Sequence, residues 1–395
     1  MPLSFVYGTT CRAPSLTTFF FDMPSTPEPR TERFYNFSAG PATLPVEVLE
    51  EVRDELPVLN ETVGASVMEI SHRSAGYDEI EESARALIKE LLDLPDEWHV
   101  LFLQGGASMQ FHQVPLNFLD QGASADYLIT GRWGKKAIRE GRIVADERGA
   151  SVREAARGET DGGFTYIPGP GEMDLDENAA YVHFTSNNTV AGTQYHFTPE
   201  APAPLVCDAS SDFMSQPLKH PERYGLIYAG AQKNVGPAGV TIVLVNPDFL
   251  DERRRGLPTM LDYGTHAEKR FNTPPVFAVY VVEKVMQWLK DLGGVREIEK
   301  RNERKAQTLY DRIDASDFYR GAVREDARSK MNATFRLPSE ELEERFVAEA
   351  NEEGLVSLEG HRTVGGIRAS MYNALPQAAV DALVRFMYEF EQAHG

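Results

Sequence analysis

From about residue 34 onward, short uninterrupted apolar runs alternate with longer amphipathic stretches. "HVLFLQGG" (99–106) ends in Gly-Gly and predicts a buried strand running into a turn, and "SMQFHQVPLNFL" follows with helix-compatible apolar spacing. "ADYLITG" (125–131) and "RWGKKAIREG" repeat that strand-helix pair, and "AAYVHFTS", "APLVCDAS", "GLIYAGAQ" and "VTIVLVN" add four more runs. None alternates apolar with polar residues. Such runs mark strands covered on both faces, as in a parallel α/β sheet.

The texture changes near residue 275. "PPVFAVYVVEKVMQWLKDLGG" opens on a Pro pair and closes on Gly-Gly, the asymmetry of a helix. "VREIEKRNERKAQTLYDRIDAS" reads as a long charged helix with one apolar stripe. Then come a strand ("KMNATFRL"), a helix ("SEELEERFVAEANEEG"), two strands ("LVSLEG" and "GIRASMY") and a last helix from about Pro376. A large, mainly parallel-sheet α/β domain followed by a smaller C-terminal α+β domain is the expected architecture.

Composition narrows the function classes. The chain has 395 residues, 42% of them hydrophobic, which suffices for a large core. No run reaches the roughly 18 apolar residues of a membrane span. A net charge of −20 argues against a nucleic-acid partner. Arginine outnumbers lysine, which suits a saline cytoplasm but also follows from genome base composition. Two cysteines, Cys11 and Cys207, give neither a disulfide framework nor a zinc spacing, so no metal is expected and a reducing, cytoplasmic setting is. Residues 1–33 have no strand or helix period and no secretory signal pattern. They read as a disordered extension, with Met23 as an alternative start and a transit peptide as another explanation.

Three features carry chemistry. "LQGGASMQF" places Gly105, Gly106, Ala107 and Ser108 between a strand and a helix, where free N–H groups and the helix dipole suit a phosphate. A plain strand-to-helix turn has the same residues. Asp208, in "PLVCDASSDF", ends a buried strand at the edge where α/β sheets bind ligands, and a helix cap or turn aspartate would look alike. Lys233, in "YAGAQKNVGPAG", sits between two core strands among small residues. A desolvated lysine becomes a nucleophile toward carbonyls. Together these are the parts pyridoxal 5'-phosphate needs: a phosphate cradle, a carboxylate for the ring nitrogen and a lysine for the aldehyde. Trp133, in "GRWGKKA", offers a flat ring for stacking, or is a core tryptophan.

The ordered blocks "FYNFSAGPATLPVEVL", "SVMEISHRS", "LFLQGGASMQF", "ADYLITGRWGKKA", "YAGAQKNVGPAGVTIVLV", "FNTPPVFAVY" and "GHRTVGGIRASMYNAL" resemble the phosphoserine aminotransferase family over residues 34–395. That resemblance implies the pyridoxal-phosphate-dependent transferase fold type I, aspartate aminotransferase-like. The large domain would span 46–293, and 34–45 would join 294–395 in the small one. Lys233 would hold the cofactor as a Schiff base, Asp208 bond its ring nitrogen, Trp133 stack on it and Thr189 contact it. Ala107, Ser108 and Gln232 would hold its phosphate. Asn272 and Thr273 would reach the cofactor phosphate of a partner subunit, implying a homodimer with shared sites.

For the substrate, the resemblance implies Arg368 on the α-carboxylate, where a planar fork suits two-point contact. His72 and Arg73, with His361 and Arg362, would grip a substrate phosphate, and Ala39 would offer only its backbone. Ser108 stands where some family members carry Arg. The implied reaction joins L-glutamate and 3-phosphohydroxypyruvate to O-phospho-L-serine and 2-oxoglutarate in serine biosynthesis. Formation of 4-phosphohydroxy-L-threonine in pyridoxine biosynthesis would use the same pocket. The alternative is a class V aminotransferase for small unphosphorylated amino acids. A cysteine desulfurase is disfavoured because Cys207 lies in a buried strand, and a silent binding module because both Lys233 and Asp208 are present.

Overall fold

The computed structural model describes residues 33–395. The expected extension over 1–33, with Cys11 and Met23, lies outside them save for its last residue. The centre of the fold is a seven-stranded sheet. Its strands follow the order His99–Leu103, Thr241–Val245, Tyr224–Gly230, Leu205–Asp208, Val182–Thr185, Ser124–Ile129 and Ser151–Arg157. The sheet is mainly parallel, as the apolar runs predict, with one exception. Thr241–Val245 runs antiparallel to both its neighbours. The connection leading into it, from Gly230 to Thr241, is a turn-rich hairpin too short to contain a crossover helix. Lys233 lies in that hairpin.

Successive residues of each strand face opposite cores, as the strand period requires. Val100, Phe102, Leu128, Ile227 and Ala229 point into one apolar cluster. Leu101, Leu103, Tyr127, Leu226 and Tyr228 point into the other. The helix Val276–Asp291 and the helix Ala75–Leu92 cover the first face. Ala75–Leu92 starts cleanly because the Ser74 side chain accepts from the Tyr77 N–H and ends where Asp93 turns left-handed at φ 53. This helix, the preceding Val46–Glu55 and the edge strand Ser151–Arg157 fall outside the segments that the apolar runs mark.

A third core gathers Phe37, Leu309, Phe335, Phe346, Leu383 and Phe390. It lies under a three-stranded sheet in which Asn332–Arg336 pairs antiparallel with Ile367–Ser370. The long charged helix is Val295–Asp314, and the last helix is Gln377–His394. "LVSLEG" forms less strand than its pattern predicts. Only Leu355–Val356 is extended, paired parallel with Tyr35–Asn36, because Ser357 turns at φ 65 and leaves the sheet. Among the described residues no helix is long and apolar enough to cross a membrane.

Candidate active site

Five of the parallel strands end at one edge of the sheet, and the predicted cofactor residues sit just past those ends. Leu103 leads into the glycine loop, Ile129 into Trp133, Thr185 into Thr189, Gly230 into Gln232 and Lys233, and Asp208 is itself a strand end. Brought together by topology, residues up to 126 positions apart in sequence share one site, at the edge where open α/β sheets bind ligands.

The Lys233 Nζ donates to Thr189 Oγ1 at 2.8 Å. Burial pulls this ammonium down to about 8, while Asp208 and Asp212 oppose the shift and Arg368 adds to it. A substantial neutral fraction near neutral pH is what a nucleophilic lysine needs. The Asp208 carboxylate accepts from the Ser210 hydroxyl at 2.6 Å and the Ser210 N–H at 3.1 Å. Burial raises its carboxyl above the ordinary range, with Ser210 and Lys233 opposing. The segment before the first helix closes over the lysine. Ala42 N–H donates to the Gln232 carbonyl at 2.8 Å, and a Cβ on Gly40 would stand 3.4 Å from Lys233 Cγ.

The helix Gly106–Phe118 begins at Gly105, which adopts φ 93 and offers no capping side chain. The first-turn N–H groups therefore keep their capacity to donate. Gly105 cannot be exchanged freely, since a Cβ there would meet Met109 Cβ at 2.6 Å. Ala107 and Ser108 lie in this first turn, and Gln232 folds its amide back beside Gly230. Trp133 is the second residue of the helix Arg132–Arg148. Its indole N–H is buried without a partner, and Lys136 Nζ covers one ring face at 4.5 Å.

Next to Thr189, through Val190 and Ala191, opens a cavity of about 320 Å³ lined by Arg132, Thr363, His361, Arg336 and Arg368. Arg368 lies on the strand Ile367–Ser370, its buried Nε has no partner, and burial lowers its affinity for its proton. Arg362 is exposed on the turn between His361 and Thr363 and does not line the cavity. The His361 imidazole is also held below its ordinary value, first by burial and then by the cations Arg132, Arg368, Arg362 and Lys136. Glu159 and Lys135, paired at 2.7 Å, also line the cavity, and Arg336 is paired with Glu343, so Arg132 and Arg368 are the cations that make it a candidate anion site. The Ala39 carbonyl accepts from the Tyr372 hydroxyl at 3.0 Å, which leaves its N–H as the available backbone donor.

The remaining predicted residues make no hydrogen bond to Lys233, Asp208 or Trp133, though Asn272 and Thr273 reach Gln104 beside the glycine loop. The His72 carbonyl accepts from Arg270, Arg73 is exposed, and Asn272 donates to Gln104 at 2.8 Å. Gln104 in turn donates to the Thr273 carbonyl at 3.2 Å. Arg270 also bonds Asp78 and Glu81, so it ties the turn carrying His72 and Arg73 to the segment carrying Asn272 and Thr273. Sequence reasoning missed Arg132, Lys136, Thr363 and Asp212. The only sequence signal for the first two is their adjacency to Trp133. Cys207 is buried and its thiol is pushed well up, which is unlike a catalytic thiolate.

This sheet, with a lysine in the hairpin beside its strand ends, is the architecture of fold-type-I transferases. Solved phosphoserine aminotransferases superpose on it closely. The one from Bacillus circulans subsp. alkalophilus gives a TM-score of 0.88 at 45% identity, covering 92% of this chain and all of that one. A pyridoxal-phosphate-bound one from Trichomonas vaginalis gives 0.86 at 37% identity, covering 90% of this chain and all of that one. The model of the family described as aminotransferase class-V matches residues 34–383. The chain belongs to the class-V aminotransferase family. Its curated relatives include the phosphoserine aminotransferase of Laribacter hongkongensis, 52% identical over 364 residues, which span 91% of this chain and 99% of that protein. Another, from Halalkalibacterium halodurans, is 48% identical over 368 residues, 92% and 99% of the two chains.

Proposed function

We propose that this chain is a pyridoxal-phosphate-dependent phosphoserine aminotransferase. It moves an amino group between L-glutamate and 3-phosphohydroxypyruvate, giving O-phospho-L-serine and 2-oxoglutarate. The observation that carries this is one juxtaposition: a lysine amine near 8, bonded to Thr189 and facing two buried carboxylates, beside a cavity walled by Arg132, His361 and Arg368.

The residues present suit the cofactor. The uncapped helix terminus at Gly106 with Ala107 and Ser108, aided by Gln232, receives its phosphate, and the orphaned indole of Trp133 marks a site built for a further polar or aromatic group. Asp208 meets the ring nitrogen. When bound, pyridoxal phosphate supplies an electron sink for the pair left when the substrate Cα loses its proton. Lys233 would anchor the cofactor, and its amine would carry a proton to and from the substrate Cα as general base and acid. Thr189 orients Nζ for that transfer. Arg368 binds the α-carboxylate, and His361 with Arg362 bind the distal phosphate. The segment at Gly40 packs against the half-buried Lys233 side chain.

We take the active form to be a homodimer with shared sites, in the cytoplasm. His72, Arg73, Asn272 and Thr273 support this, because Arg270 ties the turn carrying the first pair to the segment carrying the second, and none of them hydrogen-bonds Lys233. The phosphorylated threonine analogue of pyridoxine biosynthesis fits the same pocket. Borohydride reduction of the purified protein, followed by peptide mass analysis, tests the core of the proposal. Cofactor mass on the peptide containing Lys233 is expected, together with loss of turnover in Lys233→Ala. Cofactor on another lysine, or turnover without Lys233, would overturn it.

A further inference from the structure

Arg132 and Thr363 stand 231 residues apart in sequence and meet at the rim of the cationic cavity. Arg132 Nη1 donates to Thr363 Oγ1 at 2.9 Å. Thr363 Oγ1 lies 2.8 Å from His361 Nδ1, and the Thr363 backbone N–H donates to that same nitrogen at 3.2 Å. A nitrogen that accepts an N–H bond carries no proton of its own, so Nδ1 is the bare nitrogen of the ring. The Thr363 hydroxyl, already accepting from Arg132, has its own hydrogen free to give to Nδ1. The donors therefore run one way, from Arg132 through Thr363 to His361, and the ring proton of the neutral imidazole is left on Nε2.

The fold does not require either residue. Thr363 is exposed on the turn, and Arg132 is half-buried and makes no other hydrogen bond or ion pair among the described residues. A long cation spanning two elements only to reach a turn hydroxyl is poor as a stabilising device, since exposed polar contacts contribute little. It makes sense as orientation of a ligand-binding ring. We propose that Arg132 and Thr363 are positioning residues that set specificity, fixing His361 as an Nε2–H donor for the distal phosphate of the substrate. This rests on the phosphoserine reading above. Arg132 also brings a charge that no carboxylate matches to the same cavity, so the relay and the phosphate compensate one another.

Two variants separate the hydroxyl from its shape. Thr363→Val removes the relay at near-equal volume, and Thr363→Ser keeps it. O-phosphoserine and serine serve as amino donors, with KM and kcat read separately. Thr363→Val is expected to raise KM for O-phosphoserine about tenfold, with a smaller change in kcat, the loss expected for a hydrogen bond serving a charged group. The preference for O-phosphoserine over serine falls by the same factor, and Thr363→Ser restores both. Arg132→Gln has a larger effect, since it also removes a charge from the cavity, and adding Thr363→Val to it costs little more, because both break one relay. Nitrogen-15 NMR of the imidazoles, with His361→Asn for assignment, reads the tautomer without any substrate. An unprotonated Nδ1 on His361 is expected in the natural protein, and in Thr363→Val, where the backbone N–H still donates to Nδ1, its resonance should shift without a change of tautomer. An unchanged KM in Thr363→Val, or a protonated Nδ1 in the natural protein, would overturn the proposal. A natural enzyme that treats serine and O-phosphoserine alike would sink the phosphoserine reading instead, and the tautomer would still decide the relay.

Discussion

Asp208 is the strongest counter-charge to the burial of Lys233, ahead of Asp212. Replacing it by Asn keeps the shape and removes the charge, so the lysine is left with the weaker counter-charge of Asp212 against burial and Arg368, both of which disfavour the ammonium. At about 8, roughly one Lys233 in ten is neutral at neutral pH, against about one in three thousand at its ordinary value of 10.5. In Asp208→Asn the midpoint therefore drops below 8 and the neutral fraction rises further. Reductive methylation of the cofactor-free protein by formaldehyde follows this directly, because only the neutral amine reacts. Peptide mass analysis across a pH series gives the midpoint at Lys233 alone. The natural protein is expected to titrate near 8 and the variant lower. A variant midpoint that stays or rises would refute the assignment of Asp208 as the charge facing the lysine. A natural midpoint near 10.5 would refute the burial argument itself.

Two further outcomes follow from the surroundings of the lysine. Burial raises the Asp212 carboxyl to about 7 despite bonds from Ser186 at 2.5 Å and Gln194 at 3.3 Å. The folded state therefore holds a proton that the unfolded chain has already lost, and stability falls as pH rises from about 4 to about 7. Thermal unfolding of Asp212→Asn should lose that slope and hold up better at pH above 7, and an unaltered slope would contradict it. Gly131 has extended backbone, yet a Cβ there would stand 2.0 Å from Asn188 Oδ1. Gly131→Ala must displace the buried Asn188 and with it the neighbouring Thr189, which costs about 1–3 kcal/mol and weakens cofactor binding. Equal cofactor affinity by fluorescence titration would show that Thr189 does not move.

The central strands were legible because each is a short apolar run, and an apolar run buried on both faces has few alternatives. Lys233 and Asp208 were legible for the same reason, as polar residues at the ends of such runs. The antiparallel course of Thr241–Val245 was not read, although the short hairpin after Gly230 implies it. "LVSLEG" misled because its apolar residues serve the third core through a turn at Ser357 instead of through a long strand. Arg132 and Thr363 had no signal. Their partnership crosses two elements, and neither residue type breaks the local pattern. Asp212 was not singled out in the sequence, and only the packing around Ser186 reveals that it is buried. The residues expected to serve a partner subunit were named in sequence, and none of them hydrogen-bonds Lys233.

The claim on which the rest depends is that the cations beside Lys233 recognise a phosphorylated amino acid. It is tested by the ratio of kcat/KM for O-phospho-L-serine to that for L-serine with the purified enzyme and 2-oxoglutarate. Contacts from His361 and Arg362 to a phosphate each contribute at the level of charge-assisted hydrogen bonds, so the ratio should be about a hundredfold or more. A ratio near one would contradict the account.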